Sequence, residues 1–134
     1  MSDYTIKDSG ERKEFETGAV RDTSENKGRF DLLPFLALRD LAILYEKGAK
    51  KYDERNWEKG IDNARMFESG MRHAIQFFLG MTDEDHLSSA IWNLTGIKEN
   101  LLRIKLGLLP ESIDNIPYLL KDIDPEILKE ALGL

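Results

Sequence analysis

Four polar clusters in this chain carry residue types able to handle a charged small molecule. They are Lys27-Gly28-Arg29-Phe30-Asp31; Gly48-Ala49-Lys50-Lys51-Tyr52 with Asn56-Trp57; Arg72-His73; and Asp83-Glu84-Asp85-His86 followed by Asn93. The first two supply cations and aromatic faces. Lys offers a point charge and Arg a planar fork to phosphate oxygens, and Tyr52 or Trp57 can stack on a base. The last two supply carboxylates and imidazoles, the groups that hold a divalent metal able to activate water. The chain has no cysteine, which excludes disulfides, thiolate zinc sites and a cysteine nucleophile, and leaves only oxygen and nitrogen as metal donors. Mg²⁺ is the expected ion, with Mn²⁺ as the alternative.

Positioning these groups falls to helices. A chain of 134 residues is the size of one domain, and 41% hydrophobic with 33% charged residues reads as a soluble helical protein. Residues 1–30 form a charge-rich arm without sustained period, 31–107 a helical core, and 108–134 a C-terminal helical extension. No apolar run reaches membrane-spanning length, and Met1-Ser2-Asp3-Tyr4 has no signal-peptide character, so a cytoplasmic location is expected. The net charge of −6 argues against a nucleic-acid polymer as partner, yet a local basic patch can still hold one anionic small molecule.

The first helix is expected from Asp31 or Pro34 to between Gly48 and Tyr52, with Leu38, Leu41, Ala42 and Tyr45 at helical spacing. The second is capped by Asp62 or Asn63, carries Phe67, Met71, Ala74 and Phe78 as an apolar stripe, and closes at Gly80. In the third, Thr82 with Asp85 resembles a capping box, and Ala90, Leu94, Ile97, Leu101 and Ile104 lead to Gly107 and the stop at Pro110. A short turn at Tyr118 to Lys121 precedes a last helix, which begins at Asp124-Pro125.

Helices two and three, joined by the turn Gly80 to Thr82, pair as an antiparallel hairpin. Counting from that turn, to within about one turn, sets Gln76 near His86, His73 near Ser89 or Ala90, and Arg72 near Asn93. A polar seam inside so few helices leaves a small core, so a second protomer is expected to cover the remaining apolar surface.

Each residue also has a structural reading. The two histidines can simply bond across the hairpin, first-turn acids at 83–85 favour the helix dipole without any ligand, and Asp85 can be a cap. Lys47, Lys50 and Lys51 suit a helix end, Trp57 and Trp92 suit a core, and Glu68 suits solvent. Asn93 between Trp92 and Leu94 is different, because an amide among apolar neighbours needs partners.

Taken together, Gly18-Ala19-Val20-Arg21-Asp22, Lys27 through Pro34, Gly48-Ala49-Lys50-Lys51-Tyr52, Asn56-Trp57, Arg72-His73, Glu84-Asp85-His86-Leu87 and Trp92-Asn93-Leu94 resemble the phage-associated dATP/dGTP diphosphohydrolase N-terminal domain family over about residues 18–100. That family is grouped with the MazG-like all-α nucleoside triphosphate pyrophosphohydrolases. The resemblance implies a small all-α bundle, a homo-oligomer, Mg²⁺ dependence, and cleavage between the α- and β-phosphates of a purine deoxynucleoside triphosphate. MazG proteins place the acid pairs Glu-x-x-Glu and Glu-x-x-Asp on facing helices, whereas this chain has His73-x-x-Gln76 and Ala90-x-x-Asn93.

The expected activity is therefore metal-dependent release of pyrophosphate from dATP or dGTP. The assigned groups are Asp85, His73 and His86 for catalysis and Glu68, Asp85 and His86 for the metal. Lys27, Arg29, Lys51, Tyr52, Asn56, Trp57, Arg72 and Asn93 are assigned to the substrate. The main alternative is a non-catalytic nucleotide-binding or interaction module on the same scaffold. A triphosphate-releasing His-Asp enzyme ranks below both, because the order here is Asp85-His86.

Overall fold

The computed structural model describes residues 4–8 and 10–134. Met1 to Asp3, on which the absence of a signal peptide was read, lie outside the described residues. The chain divides into two compact units, residues 1–34 and 35–134.

The first unit is more ordered than the expected arm. Strands β1 (Arg12–Glu14) and β2 (Val20–Asp22) pair antiparallel, with Arg12 opposite Asp22 and Glu14 opposite Val20. Gly18, at φ +84°, makes the reversal possible, and its N–H donates to the Phe15 carbonyl at 2.8 Å. The Arg12 guanidinium then joins Asp8 and Asp22, each at 2.6 Å. Strands of three residues are too short to show a period of two, so the sequence pattern does not reveal them. Further on, Arg29 forks onto Asp31 at 2.7 and 2.8 Å, just before a 3-10 turn over Phe30–Leu32.

The second unit is helical: α1 (Phe35–Lys51), α2 (Asn63–Phe78), α3 (His86–Lys105) and α4 (Pro125–Leu132). Because the strands among the described residues amount to one small hairpin, the protein is the expected all-α bundle. The start of α1 follows Pro34, and Lys50 and Lys51 occupy its last turn, where cations complement the helix dipole. At the end of α3, Gly107 takes φ +74° and the Leu108 N–H reaches back to the Arg103 carbonyl at 2.8 Å, a C-terminal closure that Pro110 prevents from continuing. Asp124 caps α4 by accepting from the Glu126 N–H at 2.9 Å, with Pro125 in the first turn.

Helices α2 and α3 form the antiparallel hairpin, and α1 packs on α3. The connection runs over residues 79–85, longer than the Gly80 to Thr82 turn, yet Met66 faces Gly96 and Gly70 faces Asn93 close to the counted register, and the His73 side chain meets His86, within about one turn of the counted Ser89 or Ala90. Small residues bring the two helices close. A Cβ added to Gly70 would stand 3.1 Å from the Asn93 Cβ, and one on Gly96 would stand 2.6 Å from the Met66 sulfur.

Burial is inverted relative to an ordinary helical core. Among the described residues the buried hydrophobic positions are Met66 and Ala90, while Asn63, His86, Ser88, Asn93 and Asn100 are buried polar ones. Phe67, Met71, Ile75 and Phe78 on α2 and Leu87, Ile91 and Leu94 on α3 are exposed. Asp62, one of the two expected positions, is the N-cap residue of α2, but its side chain makes no capping hydrogen bond. Instead the Asn115 side chain, from the C-terminal extension, accepts from the Ala64 N–H at 2.9 Å. Among the described residues no helix is long and apolar enough to cross a membrane.

Candidate active site

The end of α1, the segment that follows it and facing residues of α2 and α3 enclose a cavity of about 840 Å³. That is within the usual range for small-molecule sites. Its aromatic part is built from Tyr45, Trp57 and Trp92. Tyr45 meets Trp57 nearly edge-on, with centroids 6.1 Å apart, and Trp92 at 5.7 Å. Arg103 lies 5.0 Å from the Trp57 ring centroid and is itself held by Glu99 at 3.0 Å and Glu58 at 3.6 Å, so the indole is fixed in place. Burial, and then the Glu99 charge, push the Tyr45 hydroxyl above its ordinary pKa, so it stays a neutral donor.

Cations and acids share the rest of the wall. Lys47, Lys51, Arg55 and Arg65 line the cavity beside Glu46, Asp53 and Glu54. Arg55 takes a left-handed conformation (φ +60°, ψ +24°), which costs a residue with a Cβ about 1–2 kcal/mol. Asn93 is nearly enclosed, and its Nδ2 donates to the Ser89 carbonyl at 2.8 Å.

His73 also lines this cavity, and through it the cavity adjoins a second arrangement. The His73 Nδ1 lies 2.9 Å from the His86 Nδ1, and the Glu84 Oε1 is 3.6 Å from the first and 3.5 Å from the second. On its far side the His86 Nε2 meets Asp83 Oδ1 at 2.8 Å. An acceptor at Nε2 fixes the tautomer: a neutral His86 donates Nε2–H to Asp83, keeps a lone pair on Nδ1, and accepts there from the His73 Nδ1–H. This contact holds the Asp83 carboxyl below the usual carboxylate range. Among the described residues, His73, Glu84 and His86 are the group of three side chains able to share one metal ion.

Of the residues singled out from sequence, Lys51, Tyr52, Asn56, Trp57, His73 and Asn93 come together around the cavity. Arg72 and Glu68 do not line it. They pair with each other on α2, and Glu68 also meets Arg65 at 3.2 Å. Lys27 and Arg29 belong to the N-terminal unit, where both are exposed. Asp85 is the N-cap of α3, in place of Thr82. Its carboxylate accepts the Ser88 N–H at 3.0 Å and the Ser88 hydroxyl at 2.6 Å, and neither Asp85 nor Glu68 belongs to the His73–Glu84–His86 group. The carboxylate that meets the imidazoles is Glu84. An acid just before a helix has a sufficient dipole explanation, and only the fold of residues 79–85 brings Glu84 against the imidazoles.

The Ser88 hydroxyl and then its amide hold the Asp85 carboxyl below its ordinary range. A depressed carboxyl contributes stability that is present above its unfolded pKa and lost as pH falls through the folded value. Asp85→Ala is therefore expected to lose about 1 kcal/mol in urea unfolding at neutral pH, with the deficit vanishing in acid. Asp85→Asn should stay close to wild type, since Asn caps as well as Asp. Equal losses for the two variants at neutral pH would contradict the cap.

Residues 17–106 match the family described as dATP/dGTP diphosphohydrolase, N-terminal. Comparison with curated proteins and with solved structures gives no match.

Proposed function

This chain belongs to the dATP/dGTP diphosphohydrolase N-terminal family, and from that premise we propose that it hydrolyses purine deoxynucleoside triphosphates to monophosphate and pyrophosphate. Family membership supports nucleotide hydrolysis as the class of activity. The observation that carries the reading to this site is the cavity that unites an aromatic wall, a set of cations and the His73 imidazole. Tyr45, Trp57 and Trp92 offer ring faces and edges to a base, and the amides of Asn56 and Asn93 can both donate to and accept from a purine edge. Lys47, Lys51 and Arg65 would bind phosphate oxygens and offset the charge that develops as pyrophosphate departs.

Mg²⁺, or Mn²⁺ in its place, is proposed to arrive on the triphosphate. Mg²⁺ usually binds through substrate phosphates and one or two carboxylates, and Glu46, Asp53 and Glu54 on the cavity wall are donors of that type. When bound there, the cation supplies charge neutralisation at the phosphates. The chain is also proposed to act as a homo-oligomer, because the exposed Phe67, Met71, Ile75 and Phe78 of α2 form an apolar face of the kind a second copy covers.

The reaction is tested by incubating the protein with each deoxynucleoside triphosphate and Mg²⁺ or Mn²⁺ and separating the products. Monophosphate with pyrophosphate is expected from dATP or dGTP. Nucleoside with triphosphate would reassign the bond that is cut, and intact nucleotides throughout would leave the non-catalytic binding module.

A further inference from the structure

We propose that His73, Glu84 and His86 form a protein-held centre for one borderline divalent cation of the Co²⁺ or Zn²⁺ class, separate from any Mg²⁺ carried on a nucleotide. The donor set decides the class. Two imidazoles and one carboxylate are poor ligands for Mg²⁺, which prefers six oxygens, whereas imidazole nitrogen suits the later first-row metals. Two histidines with one glutamate and an open fourth position is also a recurrent catalytic zinc set.

The spacing agrees. Donors held at about 2.0–2.2 Å in a tetrahedral site lie roughly 3.3–3.5 Å from one another. Here the three edges are 2.9, 3.5 and 3.6 Å. The short one is the hydrogen bond between the imidazoles. Moving the His73 proton from Nδ1 to Nε2 frees that lone pair without changing the charge of the ring. His86 needs no such change, because Asp83 already takes its Nε2–H, the carboxylate-to-histidine support that metal-ligating imidazoles usually have.

Charge and burial point the same way. Asp83 and Glu84 place two carboxylates around a pair of rings of which His86 is 1% and His73 17% exposed in its side chain, so a cation there is both compensated and shielded. Glu84 is 56% exposed, which leaves a route for the ion to arrive. Gln76 stands one turn beyond His73 on the same helix face, and its Oε1 is buried without a hydrogen-bond partner.

The test uses the full chain, freed of metal by a chelator and titrated with Co²⁺ alone while the visible ligand-field absorption is followed. One Co²⁺ per chain is expected, with the intensity of a four-coordinate ion, displaced by Zn²⁺ but not by a large excess of Mg²⁺. Asp83→Asn should weaken Co²⁺ affinity by about 10–100-fold, and His73→Ala or Glu84→Gln by at least about 100-fold. Helical circular dichroism is measured for each variant, and the exposed Glu84 provides a substitution that does not disturb the buried pair. Absence of saturable Co²⁺ binding, affinity unchanged by both ligand substitutions, or equal competition by Mg²⁺ would overturn the centre and leave a hydrogen-bonded histidine pair. Because no nucleotide is present, a failed titration and a failed hydrolysis assay remain separate results.

Discussion

His73→Ala is expected to lower the turnover of dATP or dGTP by about 10²–10⁴-fold, the range that accompanies loss of a positioned imidazole, with a smaller change in KM. His73 is the side chain shared by the cavity and the His73–Glu84–His86 group. Removing it takes away a cavity wall, a potential metal donor and the partner of His86 in one step. The substitution is informative because the His73 side chain is 17% exposed whereas that of His86 is 1% exposed, so alanine at 73 leaves the fold better preserved. Asp85→Asn is the matched comparison. Its carboxylate serves Ser88 at the start of α3, a duty an amide performs equally well, so turnover within about twofold of wild type is expected. Steady-state kinetics on the two variants decides between these roles. Full activity in His73→Ala would remove the imidazoles from the reaction, and an inactive but folded Asp85→Asn would return Asp85 to the site.

What the sequence reveals and what it hides divide by the range of the interaction. Gly107 with Pro110, and Asp124 with Pro125, act within one helical turn, and the structure shows helix ends at both. The polar and aromatic residues near the end of α1 are legible for a similar reason: Lys51, Tyr52, Asn56 and Trp57 are close in sequence and reach one cavity. Hidden features depend on distant partners. The side chain that accepts a first-turn N–H of α2 comes from Asn115, far along the chain, while Asp62, the N-cap residue, makes no such bond. The role of Glu84 depends on how residues 79–85 fold back toward His73, and no local pattern encodes that path. Tyr45 reads as one member of an apolar helical stripe, and only the fold brings it against Trp57 and Trp92.

The same long-range logic underlies the largest stability effect expected here. Asn63 is fully buried and Asn100 nearly so, and the Asn100 Nδ2 donates to the Asn63 Oδ1 and to the Ile61 carbonyl, both at 2.9 Å. Asn63 passes its own Nδ2–H to Asp114 at 3.0 Å, and Asp114 in turn accepts from the Tyr118 hydroxyl at 2.8 Å, so one chain of amides ties α3 to the start of α2 and to the C-terminal extension. Replacing Asn100 by Leu leaves the Ile61 carbonyl and the Asn63 Oδ1 without a donor. Unsatisfied buried groups cost about 1–3 kcal/mol each, so a loss of roughly 3 kcal/mol in urea unfolding is expected, a large share of the stability of a small domain. The double variant Asn63→Leu/Asn100→Leu removes donor and acceptor together. It should lose clearly less than the sum of the two single losses, because neither amide is then left facing an apolar side chain. Strictly additive losses in that cycle would show that the two asparagines act independently, and would remove α3 from this chain of hydrogen bonds.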